Sequence, residues 1–126
     1  MKNLDKVVEY LKNRDEIVFA YLYGSSLEGE GRDVDIGIYV NEKIPEDKEL
    51  DFSLSLSAKI FMEYEVPVDI RVINHAPLGF LKNVLSGKLL FSKDERLREN
   101  FIERVSFEYM EFYELSKMFF KEVFDV

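Results

Sequence analysis

The sequence contains no cysteine and no tryptophan, and it has a single histidine. Without cysteine there can be no disulfide, no thiolate nucleophile and no zinc or iron–sulfur site with cysteine ligands. Residues 1–16 carry a charge every few positions, so they lack both the apolar core of a secretory signal and the apolar length of a membrane span. We therefore expect a cytoplasmic protein with no membrane partner.

Basic residues are also scarce. The 126 residues include 17 Lys and Arg against 25 Asp and Glu, which gives a net charge of −8. Such a chain repels a phosphate backbone at long range, which disfavours nucleic acid as the main partner. The hydrophobic content of 47% is enough for one packed core. We expect a single domain over residues 1–126, either alone or in a homo- or hetero-oligomer.

The hydrophobic pattern predicts helices interleaved with strands. Residues 3–13 show the spacing of an amphipathic helix, with Asn3 as its cap. Residues 17–23 form a continuous apolar run, typical of a strand buried on both faces, which ends at Gly24. The other predicted elements are strands 33–40, 66–73 and 88–91, a helix between Pro45 and Pro67, and helices 77–86 and 94–123. This order predicts an α/β (α+β) fold, a small mixed β-sheet flanked by helices.

Three aspartates lie on predicted strands. Asp33 and Asp35 alternate with apolar residues and share one face, and Asp69 shares a strand face with Arg71. The crossover helix between the second and third strands allows both strands to lie in one sheet. We expect that helix to turn five apolar residues inward: Leu50, Leu54, Ala58, Phe61 and Met62.

These aspartates predict a metal site. Asp33 and Asp35 would have Cα atoms about 6.5–7 Å apart, and a neighbouring strand lies about 4.8 Å away, so Asp69 could join them. Three clustered carboxylates repel one another unless a hard divalent cation neutralises them, and oxygen ligands suit Mg²⁺ or Mn²⁺. The alternative is that each aspartate simply faces water from a polar sheet face.

The first strand is followed by Gly24-Ser25-Ser26. Exposed backbone N–H groups at such a position bind anions, and the missing Cβ of glycine lets a phosphate approach closely. Together with the downstream aspartates, this turn predicts a phosphate-binding site at Gly24, Ser25 and Ser26.

Four segments match one known pattern: Leu22-Tyr23-Gly24-Ser25, Asp33-Val34-Asp35-Ile36, Val68-Asp69-Ile70, and Gly87-Lys88-Leu89-Leu90-Phe91 before the last helix. In these segments the sequence resembles the minimal nucleotidyltransferases of the DNA polymerase β superfamily, which include the antitoxins paired with HEPN toxins. The resemblance implies a polymerase β-like nucleotidyltransferase fold and a Mg²⁺-dependent transfer of AMP from ATP to a protein hydroxyl. It further implies an antitoxin that modifies and neutralises a HEPN ribonuclease toxin, with that toxin and ATP as partners.

The resemblance also assigns roles to residues. Asp33 and Asp35 become metal-binding acids, and Asp69 becomes the third catalytic and metal-binding acid, nearest the attacking hydroxyl. Gly24 and Ser25 become the phosphate-binding pair.

Two departures from the family pattern leave alternatives open. Seven residues separate Ser25 from Asp33, a shorter spacing than the family usually has, and Ser26 stands where an arginine is common. Arg32 or Arg71 would then supply the missing cation. One alternative is a non-catalytic antitoxin of the same fold that acts by binding alone. Another is nucleotidyl transfer to a small molecule such as an aminoglycoside, although the chain has no room for the added helical domain of such enzymes.

The last helix is unusually apolar. One face has helical spacing and is expected to seat the helix on the domain, through Ile102, Val105, Tyr109, Phe112, Ser116, Phe119 and Val123. Other apolar residues widen this face beyond what one small sheet can cover: Met110, Tyr113, Leu115, Met118, Phe120 and Phe124. The excess predicts a surface for a partner protein, and a broad core helix is the alternative.

Overall fold

The structure, a computed structural model, describes residues 3–24 and 33–124. Within these residues the chain forms four strands and four α-helices. They are α1 (Leu4–Lys12), β1 (Ile17–Tyr23), β2 (Val34–Val40), α2 (Glu49–Tyr64), β3 (Val68–Val72), α3 (Leu78–Leu85), β4 (Lys88–Ser92) and α4 (Glu95–Phe124). One turn of 3₁₀ helix over Glu46–Lys48 precedes α2. The order and type of these elements agree with the prediction from the sequence.

The strands form one mixed sheet in the order β3-β2-β1-β4. β1 pairs antiparallel with both β2 and β4, whereas β2 and β3 are parallel. The parallel pair arises because α2 carries the chain back to the starting end of the sheet, as two parallel neighbours require. The predicted α+β fold with a small mixed sheet is confirmed.

Both faces of the sheet are packed. Alternate residues of β2, among them Ile36 and Ile38, face a core shared with α1 and α2. On the opposite face, Phe19 and Tyr39 stack with ring centroids 5.1 Å apart, beneath α3 and α4, so β1 is covered on both sides as predicted. α3 can lie this close because residue 37 is a glycine. A Cβ at this position would come within 2.6 Å of the Val84 side chain. The polar part of this face is confined to the end where β2 and β3 begin.

The prediction for the inward face of α2 is wrong. The side chains buried from α2 are Ser53, Leu56 and Ile60. The five residues expected to point inward are exposed instead, and we call them the α2 outer stripe: Leu50, Leu54, Ala58, Phe61 and Met62. Both sets have helical spacing, so periodicity could not distinguish between them.

The serines of α2 explain how a partly polar face can pack on the sheet. Ser53 donates its hydroxyl hydrogen bond to the carbonyl of Leu50, one turn earlier in the helix. Ser57 donates to the carbonyl of Ser53 and accepts from the N–H of Ile70 on the edge strand β3. These bonds satisfy the hydroxyl groups at the helix–sheet contact, so burying them carries little penalty.

The start of α1 also differs from the prediction. Asn3 does precede the helix, but its side chain makes no capping hydrogen bond and its φ is 66°. Its amide instead donates to the carbonyl of Tyr64, at 3.4 Å, and so links α1 to the end of α2.

Only the first part of α4 packs on the domain. Phe101 and Val105 are its buried residues, and every residue from 110 to 124 is exposed. Four residues that were predicted to pack on the domain are therefore exposed: Phe112, Ser116, Phe119 and Val123. The predicted excess of apolar surface is present. None of the described helices is both long enough and apolar enough to cross a membrane.

Candidate nucleotide-transfer site

Asp35 and Asp69 lie directly opposite each other on neighbouring strands. The parallel register of β2 and β3 pairs Asp35 with Asp69, and the antiparallel register of β1 and β2 pairs Asp35 with Tyr23. All three positions belong to the sheet face that carries α3 and α4, at the end where β1 stops and β2 and β3 start. The meeting of these two acids, which the crossover helix made possible, is thus observed.

Gly24 closes one side of this site. It has a φ of 71°, and a Cβ placed on it would lie 2.9 Å from Oδ2 of Asp35. A side chain here would be strained by the left-handed backbone and would also press on the carboxylate. The other predicted nucleotide-binding residues, Ser25 and Ser26, lie outside the described residues, as does Arg32.

The site concentrates negative charge. Partial burial, together with the nearby carboxylates of Asp69 and Asp33, raises the pKa of Asp35, and Arg71 opposes the shift. Burial and the carboxylates of Asp35 and Asp69 raise the pKa of Tyr23 to about 12. The phenol of Tyr23 is therefore neutral at physiological pH, and Asp35 gives up its proton less readily than an isolated aspartate.

Arg71 is the counter-charge of the site. Its Nε donates to Oδ2 of Asp69 at 3.3 Å, and its guanidinium carbon lies 5.7 Å from the centroid of the Phe80 ring. Phe80 in turn meets Tyr23 edge to face, with centroids 5.5 Å apart. The alternation of β3 in the sequence predicts that Arg71 lies beside Asp69. The position of Tyr23 just before Gly24 could have indicated that Tyr23 borders the site. The contribution of Phe80, which comes from α3, had no signal in the sequence.

Asp33 is more exposed than Asp35 and Asp69. It is exposed and immediately precedes β2, although it is near enough to raise the pKa of Asp35. In the parts of the chain that the structure describes, no three acidic or histidine side chains form a group that could hold a metal ion. The predicted trio of Asp33, Asp35 and Asp69 is therefore present as an opposed pair with a nearby third acid.

The donor set nevertheless suits a hard divalent cation. All candidate ligands are carboxylate oxygens, which match Mg²⁺ or Mn²⁺. The pKa of Asp35 is raised by partial burial first and then by repulsion from Asp69 and Asp33, and a bound cation would relieve that repulsion. Gly24 places no side chain of its own against the carboxylate of Asp35. This arrangement can bind a metal–phosphate group between the turn and the two strands.

Comparison with known families agrees with this geometry. A profile of the family described as "Polymerase beta, Nucleotidyltransferase" matches residues 5–96, which include every described residue of the site. No curated protein matches the chain at the level of sequence.

Several solved structures share the fold. A mutant form of the MntA toxin–antitoxin complex is 20% identical with a TM-score of 0.74, over 98% of this chain and 99% of that chain. An MNT antitoxin in complex with a tri-AMPylated HEPN toxin from Shewanella oneidensis is 18% identical with a TM-score of 0.67, over 97% and 96%. A toxin–antitoxin structure with AMP-PNP is 17% identical with a TM-score of 0.68, again over 97% and 96%.

Proposed function

The chain belongs to the polymerase beta nucleotidyltransferase family, and on this basis we propose that it transfers AMP from ATP to a protein hydroxyl. The observation that carries the proposal is the register of β2 and β3, which sets Asp35 opposite Asp69 beside the Gly24 turn. A metal–triphosphate site needs this combination of paired carboxylates and accessible backbone.

The residues of the site divide the work of the reaction. Asp33 and Asp35 would hold Mg²⁺ or Mn²⁺, which when bound would neutralise the triphosphate and the charge that develops on pyrophosphate. The backbone at Gly24 would face the phosphates. Asp69 would accept the proton of the acceptor hydroxyl. The hydroxyl oxygen attacks the α-phosphorus, the bond from that phosphorus to the bridging oxygen breaks, and pyrophosphate leaves.

We further propose that the acceptor is a HEPN ribonuclease toxin and that the chain is its antitoxin in the cytoplasm. Support comes from the fold shared with toxin–antitoxin complexes, one of which contains a tri-AMPylated toxin. The exposed part of α4, residues 110–124, supplies an apolar surface on which a partner protein could rest.

A non-catalytic binding antitoxin is the second candidate. It is favoured by the exposed position of Asp33 ahead of β2 and by the lack of a three-ligand metal group among the described residues. On this alternative the chain would bind the toxin but would bind Mg²⁺-ATP weakly or not at all.

One pair of measurements separates the two candidates. Thermal melts of the purified protein should show stabilisation by Mg²⁺-ATP, because a ligand that binds only the folded state raises the melting temperature. Incubation with α-³²P-labelled ATP and a purified HEPN toxin should label the toxin. Asp35→Asn should abolish both effects, whereas Asp51→Asn, an exposed acid on α2, should preserve both. Toxin binding without a melting shift or label would favour the non-catalytic antitoxin.

A further inference from the structure

A groove of about 540 Å³ runs between the start of α2 and the strand β3 and reaches the candidate site. Its α2 side includes Leu50 and Leu54, and its β3 side includes Asp69, Ile70 and Val72. Asp69, the proposed acceptor of the hydroxyl proton, is therefore accessible from the groove. The groove also lies at the outer edge of the sheet, because β3 is the last strand on that side.

The α2 side of the groove is apolar and uncovered. Leu50 and Leu54 keep 69% and 59% of their surface exposed, and both belong to the α2 outer stripe. Leucines one helical turn apart on a free surface usually mark contact with another molecule when they form part of a larger patch. Residues i and i+4 of a helix stand about 5–6 Å apart. This spacing is close to the roughly 6.5–7 Å between side chains i and i+2 of an extended peptide.

The mouth of the groove is acidic. Glu46 and Glu49 line it together with Asp69, and Arg71 is the cation among the described lining residues. His75 contacts both glutamates, at 3.6 and 3.0 Å. The excess of carboxylates would repel the phosphates of an RNA strand. A small polyol would gain nothing from the two exposed leucines, so apolar side chains flanked by positive charge fit the groove best.

We propose that this groove binds an extended segment of the acceptor protein, with apolar side chains against Leu50 and Leu54 and a basic residue near Glu46 and Glu49. The bound segment presents its serine, threonine or tyrosine hydroxyl to Asp69. This inference rests on the proposed function. It adds where the acceptor segment binds and which residues are preferred around its hydroxyl.

The experiment measures AMP transfer from labelled ATP to a library of short peptides with a central Ser, Thr or Tyr. The wild-type protein should prefer peptides with apolar residues and Arg or Lys around the hydroxyl. Leu54→Glu should raise the KM for the best peptide by at least about tenfold, because the apolar contact of the leucine is lost and a hydrated carboxylate takes its place against the apolar side chain of the peptide. The KM for ATP should stay within about twofold. Met62→Glu is the matched control, since Met62 is 82% exposed on the same helix but outside the groove.

A second variant tests the charge preference. Glu46→Lys, an exposed change at the mouth of the groove, should weaken the selection for basic peptides without changing the KM for ATP. The proposal is overturned if Leu54→Glu and wild type use peptides equally well, or if basic and acidic peptides are used alike. It is also overturned if the wild type labels an RNA 3′ hydroxyl and no peptide. A wild type that labels no acceptor at all contradicts the proposed function, and this inference falls with it.

Discussion

The Nε of Arg71 lies 3.3 Å from Oδ2 of Asp69, and the two side chains remain 58% and 43% exposed. An ion pair this open to water contributes only about 0–1 kcal/mol to stability. Arg71 can therefore exchange Asp69 for a phosphate at little cost. The same weak pair gives Asp69 a counter-charge whenever no cation is bound.

We expect Arg71→Met to weaken Mg²⁺-ATP binding by about tenfold or more, because a charge-assisted contact to phosphate is lost. The methionine keeps an apolar stem against Phe80, so the fold should persist. Isothermal titration measures the affinity. Arg104→Met is the matched control: Arg104 also lies over a phenylalanine ring and also pairs with an acid, but far along α4. Equal affinities of the two variants would exclude Arg71 from the phosphate site.

Substitutions of the three aspartates should not all reduce the same activity. Asp35→Asn, like Asp33→Asn, should lose both Mg²⁺-dependent ATP affinity and AMP transfer, because each removes a charge assigned to the metal. Asp69→Asn should retain most ATP binding while transfer falls by about 10²–10⁴-fold, the range for the loss of a positioned base. Nucleotide titration and labelled transfer on each purified variant provide the test. Wild-type transfer by Asp69→Asn, or full activity of Asp35→Asn, would show that these roles are wrong.

The negative charge of Asp35 should lower the free energy of unfolding by an amount that depends on pH. Its pKa is raised in the folded protein above the ordinary 3.8, so the folded state binds this proton more tightly than the unfolded chain. Stability is then lost as the pH rises through the folded-state pKa. In buffer free of divalent metal, Asp35→Asn should melt at a higher temperature than wild type at pH 7. The difference should shrink as the pH falls and should vanish below 3.8, where wild-type Asp35 is protonated in both states. A variant that melts lower than wild type at pH 7, or a difference independent of pH, would contradict this account.

The exposed part of α4 should bind the toxin. Tyr113 and Phe120 are each 55% exposed, so changing both to serine should leave the fold intact, as circular dichroism can verify. The double variant should weaken the complex with a HEPN toxin by at least about tenfold, the usual scale for central aromatic contacts. Phe107→Ser is the control, because Phe107 is 60% exposed on the same helix but precedes the segment. Wild-type affinity in the double variant would place the interface elsewhere.

The residue pattern alone predicts the order and type of the elements, and it predicts which strand residues share a face. The two-residue period of β2 sets Asp35 on the face opposite Ile36 and Ile38, and the same rule sets Asp69 beside Arg71. These are local relations, because a strand turns successive side chains to opposite sides whatever lies around it. The Gly24 turn was likewise readable, since its left-handed backbone favours glycine.

Which of these faces are buried depends on how the elements pack together. α2 carries two stripes of helical period, and its docking on the sheet buried Leu56 and Ile60 while it left Leu50 and Leu54 in solvent. The contact of Phe80 with Tyr23 and Arg71 required α3 to fold back over the sheet. The apolar pattern of α4 continues past the residues that pack on the domain, so residues 110–124 stay exposed. Periodicity orients a side chain about its own helix or strand, but burial depends on which other elements arrive there, and that information is non-local.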